Sequence, residues 1–316
     1  MSIAEPRVEK FTNPFAMYFA ATRPPFILAS VIPIFLGLGY SVYEGHAIHW
    51  LNAVLTLFTG VLLHAAINVL NDYYDALNGT DDLNQERVFP FTGGSRFIQN
   101  EVLSRKQTLV YGIGLVLAVM LIASYLISQT GIALLWLGLF GTLLGWGYSA
   151  PPLNLNSRGL GELSVLAGFG LLPLGAYLVQ TGELSLPLVL VSLPVGLLTA
   201  NLLYINQFPD RKADIQAQKL HWVARLSPDV ARWGYVLIAL LAWLTLAVLV
   251  LVGILPMLAL VSVLPVLLSI KAARILLRNA EMPQNLVPAI QMTILAMLGH
   301  GALLTLTLVL DSLVRA

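Results

Sequence analysis

The segment NVLNDYYDALNGTDD, residues 68–82, ends a long apolar run and concentrates polar residues on one face of a predicted helix. At about 100° per residue, Asn68, Asn71, Asp72 and Asp75 fall within an arc of about 100°. The helix would therefore present two amides and two carboxylates together where the apolar run stops. Carboxylates gathered in this way repel one another unless a cation offsets their charge. Such oxygen ligands suit Mg²⁺, which proteins bind through a few carboxylates together with substrate phosphates.

A second acidic cluster, NQFPDRKAD at residues 206–214, follows another apolar segment far downstream. It repeats the spacing of the first cluster, with Asn206 four residues before Asp210. Pro209 has no N–H group, so we expect the helix to break just before Asp210 and to restart there. Either cluster alone is also typical of a solvated membrane boundary. Two clusters with the same spacing favour a functional site.

Composition indicates a polytopic membrane protein. Of the 316 residues 58% are hydrophobic and 10% are charged, and the mean hydropathy is +0.81. The formal net charge of +1 gives no reason to expect a nucleic-acid partner. The sequence has no cysteine, which excludes disulfides, iron–sulfur clusters and thiolate zinc sites. The N-terminal residues carry two acids and no uninterrupted apolar core, so we do not expect a cleaved signal peptide.

The predicted fold is an all-α bundle of about nine transmembrane helices in one membrane-embedded domain, residues 1–316. Each span has roughly 18–25 residues, enough to cross about 30 Å of hydrocarbon. The spans are predicted near residues 24–43, 51–72, 107–128, 131–149, 161–180, 187–207, 230–252, 254–272 and 286–310. Residues 1–22 are predicted to form an interfacial segment with a short helix, because their aromatic residues follow helical spacing. Two long connections, 78–106 and 208–229, are predicted active-site loops.

Basic residues predict the orientation of these spans. Alternate connections hold 16 of the 17 Lys and Arg residues, and only Arg315 falls on the other side. By the positive-inside rule, the N-terminus and both acidic clusters face the cytoplasm, and the C-terminus lies outside. The protein is predicted to be a multi-pass protein of the lipid bilayer, in a bacterial inner membrane.

The two long loops add basic groups and backbone donors beside the acids. In the first loop, the run TGGSR at residues 92–96 offers a Gly-Gly turn and the guanidinium of Arg96, which together could hold an anion. An ordinary turn is the alternative interpretation of this run. The second loop adds Arg211, Lys212 and Lys219. Acids that hold Mg²⁺ with bases that hold phosphate oxygens are typical of a diphosphate site.

Further polar groups lie at the same predicted membrane level. The connection GWGYSAPPLNLNSRGLGE, residues 145–162, carries Tyr148 and Arg158. His64 lies one turn deeper than Asn68 on the same helix face, where it could bind or deprotonate an acceptor. The alternative for His64 is a simple hydrogen bond to a neighbouring helix.

The motifs together resemble the UbiA superfamily of intramembrane prenyltransferases over nearly the whole chain. The resemblance rests on Asn68-x-x-Asn71-Asp72-Tyr73-Tyr74-Asp75 with Asp81, on FTGGSR, on YSAPPLNLNSRGLGE, and on Asn206-x-x-x-Asp210-x-x-x-Asp214 with Lys219. It is most similar to the branch that prenylates 1,4-dihydroxy-2-naphthoate for menaquinone. Two departures are a Gln before Lys219, where the family often has Gly, and basic residues directly after Asp210.

The resemblance implies Mg²⁺-assisted loss of diphosphate from a polyprenyl donor and attack of an electron-rich aromatic ring on the allylic cation. It implies catalytic roles for Asn71, Asp75, Asn206 and Asp210. Asp75, Asp81, Asp210 and Asp214 would be the metal ligands. The implied substrate-binding residues are His64, Asn68, Asp72, Arg96, Tyr148, Arg158, Lys212 and Lys219. A water-poor site below the membrane surface would protect such a cation from capture.

Three alternatives compete with this assignment. A CDP-alcohol phosphotransferase would carry a D-G-x-x-A-R signature, which the sequence lacks. A transporter could use the acids as coupling-ion sites, although such sites normally lie near the bilayer midplane. Within the resemblance, the 4-hydroxybenzoate, haem and chlorophyll branches also stay open. Donor chain length and oligomeric state are not indicated by the sequence.

Overall fold

A computed structural model describes residues 4–315 and contains nine helices that are long and apolar enough to cross a membrane within that range. The nine spans are α2 (Pro24–Tyr43), α3 (Trp50–Asn78), α5 (Arg105–Thr130), α6 (Ile132–Ser149), α7 (Gly161–Thr181), α8 (Leu186–Gln216), α10 (Pro228–Leu251), a 3₁₀ turn at Met257–Val263 continued by α11 (Val266–Asn279), and a 3₁₀ turn at Pro283–Leu286 continued by α12 (Val287–Arg315). A short helix, α1 (Pro14–Ala21), precedes the first span, and two more, α4 (Thr80–Leu83) and α9 (Trp222–Arg225), lie in the long connections. The predicted all-α membrane bundle is confirmed.

Helix α3 carries the first acidic cluster within its own last turns. The apolar run predicted a span ending near residue 72, but the helix continues to Asn78. It stops at Gly79, whose φ of 80° is a left-handed conformation that glycine adopts without steric cost. The polar residues of this cluster therefore project from a regular helix.

Helix α8 corrects the prediction for the second cluster. It runs without a break from Leu186 to Gln216, through Pro194 and Pro209. A proline inside a helix removes one backbone hydrogen bond, and a membrane bundle tolerates this when neighbouring helices enclose the site. Pro209 is buried in the bundle, which meets that condition. The second connection consequently begins after Gln216, and not at residue 208 as predicted.

The continuous helix has a direct consequence for the site. Asn206, Asp210 and Asp214 follow one another at intervals of four residues, so they lie along one face of α8. The second cluster thus has the same helical presentation as the first.

The bundle is built around α8, which is the most enclosed of the nine spans, whereas α6 is the least enclosed. Close backbone approach is needed where α2 crosses α7. A Cβ atom added at Gly37 would lie 2.2 Å from the carbonyl oxygen of Pro173. A second close approach joins α8 to α7 at Gly196, where a Cβ would lie 2.8 Å from the carbonyl oxygen of Leu166. These contacts fix α2, α7 and α8 relative to one another.

The N-terminal segment forms the predicted short helix α1, and the described part begins at Ala4. Two of its aromatic residues pack against the rest of the protein. The ring centroid of Phe11 lies 5.5 Å from that of Phe97, and Tyr18 lies 4.8 Å from Tyr111. Phe15 and Phe19 are exposed. Residues 1–3 of the predicted interfacial segment lie outside the described range, and placement at the membrane interface remains a prediction.

Contacts at the two ends of the bundle agree with the uneven distribution of basic residues. Arg232 donates to the carbonyl of Leu277, and Gln284 donates to the carbonyl of Arg87, both at the end that carries the acidic clusters. Arg315 donates to the hydroxyl of Tyr43, at the opposite end. Which end faces the cytoplasm remains a prediction.

Candidate active site

A cavity of about 630 Å³ lies between α2, α3, α5, α6, α7 and α8. Most of its wall is apolar, with side chains such as Leu63, Leu134 and Phe169. One end of the cavity is polar. That end is lined by Arg23, Asn68, Asn71, Asp75, Asp81, Asn84, Asn206, Asp210, Asp214 and Lys219. The structure therefore brings both acidic clusters to one end of a single apolar cavity.

The first cluster is held by hydrogen bonds within α3 and to α6. The Nδ2 atom of Asn71 donates to Oγ of Ser149 at 2.5 Å and to Oδ2 of Asp75 at 3.2 Å. Asn78 donates to the other oxygen of Asp75 at 3.3 Å. Asp75 is buried, with 5% of its surface exposed. Its carboxylate orientation is thus set by two amides of its own helix.

The second cluster is oriented by groups from other segments. Asn84, in the connection after α4, donates from Nδ2 to Oδ1 of Asp210 at 2.6 Å. Asp214 is buried, and its Oδ2 lies 2.8 Å from Nε2 of His221. Asn206 lines the cavity one turn before Asp210. The connection after the first cluster therefore contacts the second cluster directly.

Lys219 joins the two clusters. Its Nζ lies 3.1 Å from Oδ2 of Asp75 and 3.9 Å from Oδ1 of Asp214, and only 13% of its side chain is exposed. Burial by itself lowers the pKa of Lys219, but the carboxylates of Asp75 and Asp214 outweigh this and raise the pKa well above its ordinary value. The ammonium group of Lys219 therefore offsets part of the acidic charge.

The TGGSR run covers the first cluster. A Cβ at Gly94 would lie 2.3 Å from Oδ2 of Asp81, so only glycine permits this approach. The N–H of Ser95 donates to Oδ1 of Asp72 at 3.2 Å. One backbone donor of the predicted anion site is therefore used by a carboxylate of the protein itself. Burial, followed by the nearby charges of Asp75 and Asp72, raises the pKa of Asp81 well above its ordinary value.

The chemistry of this end of the cavity fits Mg²⁺ as a partner of phosphate. Among the described residues, buried oxygens with no hydrogen-bond partner include Oδ2 of Asp81, Oδ1 of Asn206 and Oδ1 of Asp214. Buried oxygens without a donor are costly, and a hard cation would satisfy them. Within residues 4–315, no three His, Cys, Asp or Glu side chains converge tightly enough to chelate one ion. The unpartnered oxygens are donors of the type that a hard cation binds.

The cavity also brings together three other predicted substrate-binding residues. His64, Asn68 and Tyr148 all line it. Nδ1 of His64 lies 2.6 Å from the hydroxyl oxygen of Ser30 on α2, which agrees with the simple interhelical hydrogen bond. Asn68 donates to the carbonyl of Thr22 at 3.0 Å.

Four predicted substrate-binding residues do not line the cavity. Asp72 is buried against Ser95. Arg96 is buried and donates to the carbonyl of Asp81, and burial lowers its pKa. Arg158 is exposed and donates to the carbonyl of Pro152 at 2.7 Å. Lys212 is exposed and pairs with Glu86. These four residues support the polar end of the cavity or lie outside it.

The sequence interpretation missed several residues at the cavity. Arg23 lines it from the start of α2, with φ of 60° in the left-handed region. Its position in the sequence, before Pro24-Pro25 and at the membrane level of the acidic clusters, could have indicated that it belongs to the site. Asn84 and His221 gave no such signal, because each acts through a contact with a residue of the second cluster that only the fold reveals.

An all-α membrane bundle with two Asn/Asp clusters at one end of a single apolar cavity is the arrangement expected of an intramembrane enzyme. Residues 30–297 match the UbiA prenyltransferase family, and the chain belongs to this family of transferases. The resemblance indicated by the motifs is thereby confirmed.

Named relatives agree with this assignment. The chain is 31% identical over 213 residues to a 2-carboxy-1,4-naphthoquinone phytyltransferase of Synechocystis sp., covering 66% of this chain and 66% of that protein. It thus spans about two thirds of the length of that relative. It is 28% identical over 295 residues to a 1,4-dihydroxy-2-naphthoate octaprenyltransferase of Escherichia coli, covering 91% and 92%.

The fold is also similar to that of a solved protein. A UbiA homolog from Archaeoglobus fulgidus, bound to DMAPP and Mg²⁺, superposes with a TM-score of 0.66. The superposition covers 91% of this chain and 98% of that one, at 16% sequence identity. At this level of identity the likeness establishes the fold.

Proposed function

We propose that this protein transfers a polyprenyl group from a polyprenyl diphosphate to 1,4-dihydroxy-2-naphthoate, with Mg²⁺ as cofactor, as a step in menaquinone biosynthesis. The observation that carries the proposal is that Asp75 and Asp210, from two different helices, line the polar end of one apolar cavity. The names of the Synechocystis and E. coli relatives, both naphthoate-type prenyltransferases, favour this acceptor.

The acidic clusters would hold the metal. Candidate ligands are Asp75, Asp81, Asp210 and Asp214, with the amide oxygens of Asn71 and Asn206 beside them. When bound, Mg²⁺ neutralises the charge that develops on the departing diphosphate. The unpartnered oxygens of Asp81, Asn206 and Asp214 support this role.

Lys219 and the apolar wall would act on the donor. Lys219 lines the polar end, where its ammonium group can contact phosphate oxygens. The apolar wall takes the isoprenoid chain and keeps water away from the allylic carbon, which would otherwise be captured by hydrolysis. The division between a charged end and an apolar body matches the two parts of a polyprenyl diphosphate.

The acceptor ring would lie just below the diphosphate, near Asn68, Tyr148 and His64. Attack requires an electron-rich ring carbon held close to the allylic carbon. Arg158 was the predicted partner for the acceptor carboxylate, but it is exposed and bonded to Pro152. Arg23 lines the cavity and follows Thr22, which accepts a hydrogen bond from Asn68. We therefore assign the acceptor carboxylate to Arg23 in place of Arg158.

A competition assay tests the proposed reaction. Purified protein receives one polyprenyl diphosphate with equal concentrations of 1,4-dihydroxy-2-naphthoate and 4-hydroxybenzoate, and both prenylated products are quantified with and without Mg²⁺. We expect Mg²⁺-dependent pyrophosphate release and preferential prenylation of the naphthoate. A preference for 4-hydroxybenzoate would contradict the acceptor and leave prenyl transfer standing. Absence of pyrophosphate release with every acceptor would contradict the whole proposal.

The proposed location is a bacterial inner membrane, with the N-terminus and the active site on the cytoplasmic side. The distribution of basic residues supports this orientation. Reporter fusions at Gly45, Gly182 and the C-terminus should report the external side, and a fusion near Gln85 the cytoplasmic side. A cytoplasmic signal at Gly182 would contradict this topology, because it would separate the two acidic clusters.

A further inference from the structure

His221 is a buried residue that no motif assigned to the site. It lies in the connection between α8 and α9, two residues after Lys219, and has 0% of its surface exposed. Each of its ring nitrogens has a partner. Nδ1 accepts a hydrogen bond from the backbone N–H of Ala224 at 3.2 Å, and Nε2 lies 2.8 Å from Oδ2 of Asp214.

The backbone contact determines the tautomer of the ring. A backbone N–H can only donate, so Nδ1 of His221 must carry a lone pair. The proton of the neutral ring is then on Nε2, which donates it to Oδ2 of Asp214. His221 therefore couples the start of α9, where it acts as the N-cap, to a carboxylate of the second cluster.

The hydrogen bond leaves Asp214 with one free oxygen. Oδ2 is used by His221, while Oδ1 is buried, has no hydrogen-bond partner among the described residues and lies 3.9 Å from Nζ of Lys219. The final torsion of an aspartate side chain is broad, so the carboxylate would rotate without this contact. His221 thus holds Oδ1 on the side of Lys219 and Asp75.

We propose that His221 is a positioning residue that orients Asp214 as a ligand for Mg²⁺. The inference rests on the proposed function, because it needs a metal at the acidic clusters. Groups that hydrogen-bond to metal ligands fix ligand orientation, and their loss typically weakens metal affinity about 10–100-fold. The alternative is a structural role alone, in which His221 serves only as the N-cap of α9.

Two variants separate these roles. In His221→Asn the side-chain oxygen can still accept from the N–H of Ala224, but the side chain is too short to reach Asp214. In His221→Gln the longer side chain can place an amide donor near Asp214, while the cap is weakened. The metal-stripped, detergent-purified full-length protein is titrated with Mg²⁺ alone, and the unfolding temperature is recorded at each concentration.

For His221→Asn we expect the Mg²⁺ concentration at half of the thermal shift to rise about tenfold, with little change of the unfolding temperature in EDTA. For His221→Gln we expect a midpoint within about twofold of the wild type and a lower unfolding temperature in EDTA. The positioning role is overturned if His221→Asn keeps the wild-type Mg²⁺ midpoint. It is also overturned if the Mg²⁺ midpoint rises in His221→Gln, the variant with the weakened cap, and not in His221→Asn. If the wild type shows neither a Mg²⁺ shift nor Mg²⁺-dependent pyrophosphate release, the proposed function fails, and this inference fails with it.

Discussion

The two acidic clusters reach the same cavity by different structural means. The first ends helix α3 and is covered by an irregular connection, residues 84–104, in which Gly93, Gly94 and Arg96 all have positive φ. The second lies on a helix that continues through Pro209, and its supports come from elsewhere, namely Asn84 and His221. The carboxylate of Asp75 is oriented by amides of its own helix, whereas the carboxylates of Asp210 and Asp214 are oriented by other segments.

The largest effect is expected from removing one carboxylate of either cluster. Asp75→Asn and Asp210→Asn keep side-chain volume and remove charge, so both variants should fold. Each should lower prenyl transfer by about 1000-fold, because the metal loses a charged ligand. Turnover is measured as pyrophosphate release at limiting Mg²⁺.

The matched control is Asp229→Asn, since the Asp229 side chain is 73% exposed and pairs with Arg232 at the surface. Its turnover should equal that of the wild type. If Asp75→Asn is inactive and Asp210→Asn turns over normally, the two clusters do not share one metal site.

A smaller effect, on stability, is expected at the residue that links the clusters. Lys219→Met removes the ammonium between Asp75 and Asp214 and leaves buried carboxylates without compensation. Breaking a buried ion pair in this way destabilises proteins by about 3 kcal/mol. We expect chemical denaturation without Mg²⁺ to show this loss, and saturating Mg²⁺ to restore part of it.

The control for Lys219→Met is Lys106→Met, which should leave stability unchanged because Lys106 is exposed. Because the pKa of Lys219 is raised, its contribution to the free energy of unfolding is fully present at neutral pH. This contribution is lost only as the pH rises through the raised pKa. Equal stability of Lys219→Met and the wild type without Mg²⁺ would show that the clusters are not coupled through this residue.

The smallest effect concerns the N-terminal support of the 84–104 connection. Glu5 accepts from Arg87 at 2.7 Å and from Asn100 at 3.2 Å, so the N-terminal segment ties down the 84–104 connection. Glu5→Gln should cost about 0.5 kcal/mol, as is typical of a partly exposed ion pair. Hydrogen exchange should rise in the 84–104 connection and stay unchanged around His221.

The pH dependence of this contact follows from the charge of Glu5. Burial alone raises the pKa of Glu5, but hydrogen bonds from Arg87 and Asn100 outweigh it and leave the pKa below its ordinary value. The stabilisation is therefore present above about pH 4.5 and is lost as the pH falls through the lowered pKa. The difference between Glu5→Gln and the wild type should vanish in acid, and Glu9→Gln, at an exposed residue, should leave stability unchanged at neutral pH.

Hydrophobic length and helical spacing predicted the nine spans and the polar face of α3, because both depend on local sequence alone. The rule that proline breaks helices gave the wrong result at Pro209, where enclosure by neighbouring helices compensates for one missing hydrogen bond. Arg158 was predicted at the site from its membrane level, and Lys212 from its nearness in sequence to Asp210. Side-chain direction, which sequence proximity does not fix, turns both outward.

The contacts that complete the site were beyond the reach of local patterns. Asn84 and Asp210 are 126 residues apart, and Lys219 and Asp75 are 144 residues apart. Only the packing of α3 against the rest of the bundle brings these pairs together. His221 was missed for a similar reason, since its importance depends on a tautomer set by the backbone of α9.

The same separation along the chain determines when the site can form during biosynthesis. At about 5–20 residues per second, a ribosome needs on the order of 10 s to travel the 126 residues from Asn84 to Asp210. Throughout that interval the first cluster has been made without Lys219 to offset its charge. Its carboxylates must stay hydrated at the membrane surface until α8 and the connection after it emerge. The sixth span is therefore the element whose arrival withdraws the acids from water, and a nascent chain halted before it would hold the first acidic cluster without the second cluster and without Lys219.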